Sequence, residues 1–297
     1  MSTIAFIGLG IMGAPMAGHL VDAGHDVVGL NHGQEAVDAL VAKGGRDGHS
    51  IAEAVAEADV VITMVPDSPD VTGAAYGEDG IYAHAKPGTL HIDCSSIRPD
   101  VARELAEAGA AAGVRVVDAP VSGGQAGAVE RKLSIMVGGA DADVADALPL
   151  LKSVGSTVVH VGPPGAGQTV KAANQLIVAG NIELLAEAIV FLQAHGVDMK
   201  AAVEVLGGGL AGSTVLDRKA AGMLAGEFEP GFRIDLHHKD MGIVVDSARA
   251  AGVAIPLGAH VAQLVGSLRA QGDGGLDHSA LLRGVQRLSG THQGDKS

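Results

Sequence analysis

Aromatic residues are nearly missing from this 297-residue sequence, which has no tryptophan, two tyrosines and four phenylalanines. Any core must therefore be built from alanine, valine, leucine and isoleucine, and the 47% hydrophobic content allows a sizeable one. Cysteine is equally scarce. Because Cys94 is the only one, an intramolecular disulfide is excluded, and we expect a reducing, cytoplasmic location.

Basic residues are also few, with 20 lysines and arginines against 34 acidic residues and a formal net charge of −14. This balance argues against nucleic acid or an anionic membrane as the main partner. An anionic small ligand would have to be held by local donors. The most apolar long window, 176–192, contains Asn181, Glu183 and Glu187, so we interpret it as a soluble helix rather than a membrane span.

What the sequence does have is a glycine loop between a strand and a helix. Residues Thr3 to Ile7 form a short apolar run, a helical stretch follows to about Ala23, and Asp26 to Leu30 read as a second strand. The glycines of such a loop make the turn, admit a pyrophosphate and allow the helix to pack on the strand. We therefore predict dinucleotide binding over a merely structural turn. The predicted contacts are Gly8, Gly10, Ile11, Met12 and Gly13.

The end of the second strand leaves the choice of dinucleotide open. NAD-binding folds usually carry an acidic residue there, which binds the adenosine ribose. Here the strand is followed by Asn31 and His32, so a 2′-phosphate would meet no repulsion and His32 could help to hold it. Alternatively, Asn31 bonds the ribose hydroxyls and either cofactor fits. We predict NAD or NADP without deciding between them.

Strands and helices continue to alternate, and ligands bind outside the carboxyl ends of the strands in open α/β sheets. Strands at 60–65, 89–93 and 114–118 would bring Val65, Pro66 and Ser96 to that edge. A glycine-rich segment follows, and its backbone N–H groups, with a serine hydroxyl, could hold a carboxylate. The alternative is a loop that merely turns the chain. The predicted substrate contacts here are Ser122, Gly123 and Gly124.

A long apolar helix follows the glycine- and proline-rich run 162–167 and continues to Gln193. Lys171, Asn174 and Gln175 share one face of this helix, because positions i, i+3 and i+4 lie together. Three polar groups aimed one way suggest a site. A solvated first turn is the alternative, and the nucleotide-binding fold before it favours the site.

Strand patterns disappear after residue 168, so we predict an α/β fold with a second, all-helical domain. The predicted boundaries are 1–162 for a Rossmann-type dinucleotide-binding domain, 163–290 for the helical domain and 291–297 for a flexible tail. The adjacent His237 and His238 suggest a metal site. Adjacent residues on a helix point about 100° apart, so we predict no metal and a surface or interdomain position.

Taken together, these pieces resemble the β-hydroxyacid dehydrogenase family. The shared motifs cover essentially the whole chain: Gly-x-Gly-x-Met-Gly from Gly8, Asp-Ala-Pro-Val-Ser-Gly-Gly from Asp118, Gly-x-Gly-Gln-x-x-Lys from Gly165, and Lys239-Asp240. The resemblance implies a long interdomain helix, a homo-oligomer (a dimer or tetramer), Lys171 as the catalytic residue and Lys239 in the same cleft. Many relatives carry Asn four residues after the lysine. Here that position is Gln175, so whether Asn174 or Gln175 touches substrate stays open.

Within the family, segments 208–217 and 230–237 resemble tartronate semialdehyde reductases more than 3-hydroxyisobutyrate dehydrogenases. This implies reversible, NAD(P)H-dependent reduction of that aldehyde to glycerate. Ser213 and Thr214 are predicted to close over the substrate. One alternative substrate is 3-hydroxyisobutyrate or another short β-hydroxyacid or semialdehyde. An imine is a second, against which Lys171 argues, and a sugar phosphate is a third, for which the sequence shows no convergent set of basic residues. A non-catalytic nucleotide-binding scaffold is the alternative outside the enzymes.

Overall fold

A computed structural model describes residues 1–291, and the last six residues of the predicted tail lie outside the described part. The chain divides into two compact units, the first Met1–Lys171 and the second beginning at Ala172. The strands, all in the first unit, are β1 Thr3–Ile7, β2 Asp26–Leu30, β3 Arg46–Asp47, β4 Val60–Thr63, β5 Leu90–Asp93, β6 Arg115–Asp118, β7 Val121–Ser122, β8 Leu133–Gly138 and β9 Gly155–Gly162.

Helices connect these strands and form the second unit. In the first unit they are α1 Gly13–Asp22, α2 Gln34–Ala42, α3 Ile51–Glu57, α4 Ser68–Tyr76, α5 Ile81–His84, α6 Pro99–Ala111, α7 Gly124–Val129 and α8 Asp141–Leu151. Helix α9, Ala166–Ala194, begins in the first unit and continues into the second. There it is followed by α10 Met199–Gly207, α11 Thr214–Ala225, α12 Ile234–Ala250, α13 Pro256–Leu268, a π-helical turn Arg269–Asp273, a 3-10 turn His278–Ala280 and α14 Leu281–Leu288.

The sheet has the strand order β3-β2-β1-β4-β5-β6-β8-β7, with β9 paired to β8. The first six strands in this order are mutually parallel, whereas β8 runs antiparallel to β6. The order reverses between β1 and β4, and in open sheets a ligand crevice lies at the carboxyl ends of the strands at such a point. The predicted fold class, an α/β domain followed by helices, is confirmed.

Successive residues of β1 face opposite sides of the sheet, and both sides are covered. Ile4 and Phe6 pack into a cluster with Leu20 of α1, while Ala5 and Ile7 pack on the other side. A strand buried on both faces reads as a continuous apolar run, which is why Thr3–Ile7 was predictable as a strand. Phe6 is the largest fully buried side chain, as expected of a core with few aromatic residues.

Helix α9 supplies much of the core of the second unit. Ala179 and Ile182 belong to one buried cluster, and Leu185 and Ile189 belong to another. Among the described residues it is also the one helix long and apolar enough to cross a membrane by length and composition. Because a core helix passes the same test and this one packs into two clusters, we assign it to the core of a soluble protein.

The position predicted for the two adjacent histidines is wrong for His237. Its side chain is fully buried inside the second unit, where its ring contacts those of Phe232 and His278. The two histidines approach through their Nδ1 atoms at 3.0 Å. Burial and the neighbouring His237 lower the pKa of His278 well below the usual value. No sequence pattern points to this pair, because its members are 41 residues apart.

Candidate active site

The loop between β1 and α1 is shaped by two glycines that could hold no side chain. Gly8 has φ +100°, and a methyl group there would lie 2.3 Å from the carbonyl oxygen of Met64. A methyl group at Gly13 would lie 1.8 Å from the carbonyl oxygen of Gly8. Gly10, in contrast, is exposed, with no other part of the described chain within 4 Å of such a group. The residues present therefore fit a pyrophosphate approaching over Gly10 at the start of α1.

Asn31, at the end of β2, is engaged with this loop. Its Oδ1 accepts a hydrogen bond from the backbone N–H of Leu9 at 3.2 Å, and its Nδ2 donates to the carbonyl of Gly33 at 3.2 Å. His32 is exposed beside it. The Asn31 amide therefore holds the loop between β1 and α1 through a hydrogen bond. Neither this amide nor the His32 ring carries a negative charge that would repel a 2′-phosphate.

Polar groups meet where β4 and β5 end. The N–H of Val65 donates to Oγ of Ser95 at 3.0 Å, and Ser96 follows, half-buried, while Pro66 is exposed. Asp93, fully buried beneath them, accepts hydrogen bonds from the Thr63 hydroxyl and the Ser95 N–H. Burial is the main cause that raises the pKa of Asp93 to about 6.

Asp118 and Gln168 are two residues of this region that the sequence did not single out as functional. The Asp118 carboxylate ends β6 and accepts backbone N–H groups from Gly165 at 2.7 Å and Gln168 at 2.9 Å. It therefore caps the start of α9, and burial is the main cause that raises its pKa. Both residues lie inside motifs of the family resemblance, which was the signal available. Their contact spans 50 residues, so spacing alone could not reveal it.

Lys171 is the predicted catalytic residue, and its side chain is buried, with 8% exposure. Its Nζ donates a hydrogen bond to the carbonyl of Val121 at 2.7 Å. The next residues are Ser122, which pairs with Ser134 on β8, and then Gly123 and Gly124, with φ +139° and +63°. The segment expected to be a loop is therefore a short strand and a six-residue helix, α7. The structure brings the lysine against the start of this segment.

In the second unit, the polar residues of α9 connect to α12. Nδ2 of Asn174 donates to Oε1 of Gln175 at 2.8 Å, and Nε2 of Gln175 donates to Oδ2 of Asp240. The ammonium of Lys239 lies 2.9 Å from Oδ1 of Asp240, an ion pair by distance, although that oxygen has no partner among the described residues that meets hydrogen-bond geometry. Asn174 and Gln175 thus form one hydrogen-bonded chain of amides, and whether Asn174 or Gln175 contacts the substrate stays open.

Ser213 and Thr214 lie at the start of α11. The Ser213 hydroxyl accepts the N–H of Leu216 at 3.1 Å and so caps the helix, and Thr214 is its exposed first residue. An N-cap of this kind stabilises the helix on its own account. The role predicted for the two residues over the substrate stays a prediction.

The parallel sheet, its reversal of strand order and the glycine loop at the reversal define a dinucleotide-binding fold. Comparison with family models narrows the class. Residues 3–162 match the NAD binding domain of 6-phosphogluconate dehydrogenase, and residues 165–285 match the NAD-binding region of NADP-dependent 3-hydroxyisobutyrate dehydrogenase. The chain belongs to the β-hydroxyacid dehydrogenase family, as its motifs predicted, and binds NAD(P).

Individual relatives differ in the substrate that they are named for. The chain is 38% identical over 286 residues to 2-hydroxy-3-oxopropionate reductase of Escherichia coli, covering 96% of this chain and 98% of that protein. It is 38% identical over 301 residues to an NAD-dependent L-serine dehydrogenase of Pseudomonas aeruginosa, covering 99% and 100%. The solved structure of Mycobacterium tuberculosis 3-hydroxyisobutyrate dehydrogenase with L-serine superposes with a TM-score of 0.87 at 36% identity, covering 95% and 98%.

Proposed function

We propose that this chain catalyses the reversible NAD(P)H-dependent reduction of tartronate semialdehyde (2-hydroxy-3-oxopropanoate) to glycerate. The observation that carries the proposal is the buried ammonium of Lys171, held 2.7 Å from the Val121 carbonyl in the unit that contains the dinucleotide loop. The backbone carbonyl fixes the direction of the ammonium group, which can then contact the carbonyl oxygen of a substrate. The serine–glycine segment beside it can hold the carboxylate of the same substrate. The similar reductase of Escherichia coli supports the choice of aldehyde.

In the proposed reaction, the reduced nicotinamide supplies a hydride to the aldehyde carbon. Lys171 polarises the aldehyde oxygen and donates a proton as an alkoxide develops there, which gives the primary alcohol of glycerate. The hydrogen bond to Val121 fixes the direction of the lysine side chain. In the reverse direction the neutral amine accepts the hydroxyl proton, so the same residue is both general acid and general base.

The remaining binding roles follow the chemistry of each group. The Ser122 hydroxyl and the backbone N–H groups of Gly123 and Gly124 are assigned to the substrate carboxylate. Asn174 and Gln175, three and four residues beyond Lys171 on α9, are assigned to the substituent at C2. Gly8 to Gly13 would hold the pyrophosphate, and Asn31 with His32 would face the adenosine ribose. Val65, Pro66 and Ser96 are assigned to the nicotinamide, with Lys239 as a further cofactor contact.

L-serine is a second candidate substrate, because two of the similar proteins are named for it or were solved with it. Glycerate, L-serine and 3-hydroxyisobutyrate share a 3-hydroxypropanoate skeleton. They differ only at C2, which carries a hydroxyl, an ammonium or a methyl group. The amide chain of Asn174 and Gln175 can donate to or accept from a hydroxyl, whereas a methyl group offers those amides no hydrogen bond.

The test is steady-state kinetics in both directions. Oxidation of glycerate, L-serine and 3-hydroxyisobutyrate is compared with NAD⁺ and NADP⁺, and reduction of tartronate semialdehyde is compared with that of succinic semialdehyde, methylmalonate semialdehyde and glyoxylate. We expect the highest kcat/KM for glycerate and tartronate semialdehyde. A higher kcat/KM for L-serine or another substrate would refute the substrate and leave the hydride-transfer chemistry in place. The same assays decide between the two cofactors.

The proposed location is the cytoplasm. The single cysteine is buried at the end of β5, where burial raises the pKa of its thiol and keeps it protonated. A reduced, unreactive thiol agrees with a reducing compartment. The reaction also draws on dissolved nicotinamide cofactors and a small, charged substrate.

A further inference from the structure

We propose that Gln168 is a positioning residue that locks the turn carrying Ser96 to the helix carrying Lys171. The inference rests on the proposed role of Lys171. The side-chain amide of Gln168 donates from Nε2 to the carbonyl of Ser95 at 2.7 Å and accepts the N–H of Ile97 at Oε1 at 3.1 Å. Its two partners lie on either side of Ser96. One amide therefore holds both peptide units that flank Ser96, and these fix the direction of that residue.

The grip is rigid because Gln168 is fixed at its backbone as well. Its N–H donates to Oδ2 of Asp118 on β6, while its side chain reaches the turn after β5. The residue is 1% exposed, so water does not compete for these hydrogen bonds. A residue tied at one end to β6 and at the other to the β5 turn sets the distance between the two.

Close packing leaves the start of α9 no alternative position. A methyl group at Gly167 would lie 2.4 Å from the carbonyl oxygen of Met136 and 2.8 Å from Oδ2 of Asp118. One at Gly138 would lie 2.5 Å from Oδ1 of the same carboxylate. The backbone here is therefore held against β6 and β8, and a shift of the Ser96 turn is transmitted to α9 rather than absorbed.

The chain of contacts extends in both directions. The hydroxyl of Ser95 accepts the N–H of Val65, so the turn after β4 is tied to the same amide. Lys171 lies three residues beyond Gln168, on the next turn of α9. The residues proposed to face the nicotinamide and the residue proposed to donate the proton are thus connected through one side chain. That side chain need not touch either reactant, so Gln168 positions rather than reacts.

The first test compares Gln168→Leu with a matched control, Thr169→Val. Leucine keeps the volume of Gln168 but removes both side-chain hydrogen bonds. Thr169 lies on the same turn and is exposed, and its hydroxyl donates to the carbonyl of Gly165, directly before α9. We expect kcat to fall about 100-fold in Gln168→Leu, the order expected for a misplacement of about 1 Å, and less than twofold in the control. The dissociation constant of the reduced cofactor, measured by fluorescence, should change less than about threefold, because Gln168 makes no hydrogen bond to the cofactor in the proposal.

The readout that a merely structural role would not move is the primary deuterium isotope effect on kcat with 4-deuterated reduced cofactor. We expect it to rise in Gln168→Leu, because hydride transfer becomes slower than product release. A fall in kcat that only tracks lost folded protein, with the isotope effect unchanged, would overturn the proposal. So would a kcat within twofold of the control.

A second variant, Gln168→Glu, supplies a pH signature. The ionised carboxyl group accepts from Ile97 but opposes the Ser95 carbonyl, whereas the protonated group has the donor and acceptor pattern of glutamine. Asp118 and Asp93 are the acidic groups bonded to the same segments, and their charge with burial raises the pKa of the introduced carboxyl. We expect the ratio of variant to wild-type kcat to rise at least about tenfold from pH 8 to pH 6. A ratio of variant to wild-type kcat that does not change with pH would contradict the positioning role of Gln168.

All rates are measured in the direction of reduction, with whichever semialdehyde the wild type turns over fastest, so an error in the proposed substrate does not affect the comparison. An error in the role of Lys171 is detected separately. Lys171→Met would then keep turnover, whatever Gln168→Leu does. Protection of the Ile97 amide from hydrogen exchange should fall in Gln168→Leu and stay unchanged in Thr169→Val. Equal protection in both would overturn the proposal without reference to activity.

Discussion

At the scale of single residues, the proposed chemistry depends on buried polar groups whose partners are backbone atoms. Lys171 is held by a carbonyl, Asp118 by two N–H groups, and Gln168 by one of each. A backbone partner is present whatever the side chain at its position. Such partners therefore fix the direction of the polar side chains without constraining the sequence of the neighbouring segments. The lysine was predictable from its spacing in the helix. Its carbonyl partner was not, because Val121 is 50 residues away and carries no polar side chain.

Lys171→Met tests the central residue with its length and burial preserved. We expect kcat to fall by about 10²- to 10⁴-fold, because the developing alkoxide loses its proton donor. The dissociation constant of the reduced cofactor should stay near wild type. Lys152→Met, a change of an exposed lysine after α8, is the matched control and should leave kcat unaltered. Full turnover by Lys171→Met in a folded protein would refute general acid catalysis by this residue.

Glu183 is a buried acid on α9 whose Oε2 has no hydrogen-bond partner in residues 1–291. Burial, and secondarily the nearby Glu187, raise its pKa from 4.5 to about 7. An acid whose pKa rises on folding stabilises the fold in its protonated form. That contribution is complete below about pH 4.5 and is lost as the pH rises through 7.

Glu183→Gln should therefore raise the free energy of unfolding above pH 7.5, by up to about 3 kcal/mol, since one pKa unit corresponds to about 1.4 kcal/mol. The difference should vanish near pH 4.5. Glu187→Gln, on the exposed side of the same helix, should shift the profile by less than about 0.5 kcal/mol. Urea unfolding of the three proteins from pH 5 to pH 8 measures this, and parallel profiles for wild type and Glu183→Gln would contradict it.

At the scale of elements, the strands buried on both faces were predictable and the shortest elements were not. The bounds of β1 and β2 agree with the apolar runs, because continuous burial leaves a continuous signal. The two-residue strand β7 and the helix α7 were taken for a loop, because glycines at Gly123, Gly124 and Gly127 suggest turns. Pairing of β7 with β8, a contact distant in sequence, decided their structure.

The loop between β1 and α1 allows its two glycine requirements to be separated. Gly13→Ala should destabilise folding, because the added methyl group meets the Gly8 carbonyl at 1.8 Å. Gly10→Ala should change the free energy of unfolding by less than about 1 kcal/mol, the cost range of a tolerated glycine change. Its dissociation constant for the reduced cofactor should nevertheless rise at least about tenfold, because the methyl group occupies the path of the pyrophosphate. Equal cofactor affinity in Gly10→Ala and wild type would place the phosphates elsewhere.

At the scale of the whole molecule, an apolar stripe runs along the part of α9 in the second unit. Ile177, Leu184 and Phe191 recur every seven residues and are 62%, 53% and 63% exposed. Gly180 lies between the first two of them and Glu187 between the last two. Heptad spacing forms a seam along one side of a helix, and exposed apolar surface marks an interface in soluble proteins. The seam is self-complementary, because an antiparallel pairing about Leu184 sets Ile177 of one copy opposite Phe191 of the other.

We therefore expect a homo-oligomer in which a second copy covers this stripe. Leu184→Glu, at its centre, should lower the molar mass measured by light scattering towards that of the 29.6 kDa monomer. Val253→Glu, at another exposed apolar residue with 57% exposure, is the matched control and should leave the assembly intact. A monomeric wild type, or an oligomer that tolerates Leu184→Glu, would exclude the stripe as the interface.

The histidine pair inside the second unit has a consequence for where protons reside. Two Nδ1 atoms at 3.0 Å form a hydrogen bond only if one carries hydrogen and the other presents its lone pair. The two rings therefore have opposite roles at Nδ1, one as the donor and the other as the acceptor. Two chemically identical side chains are thus made inequivalent by the fold alone.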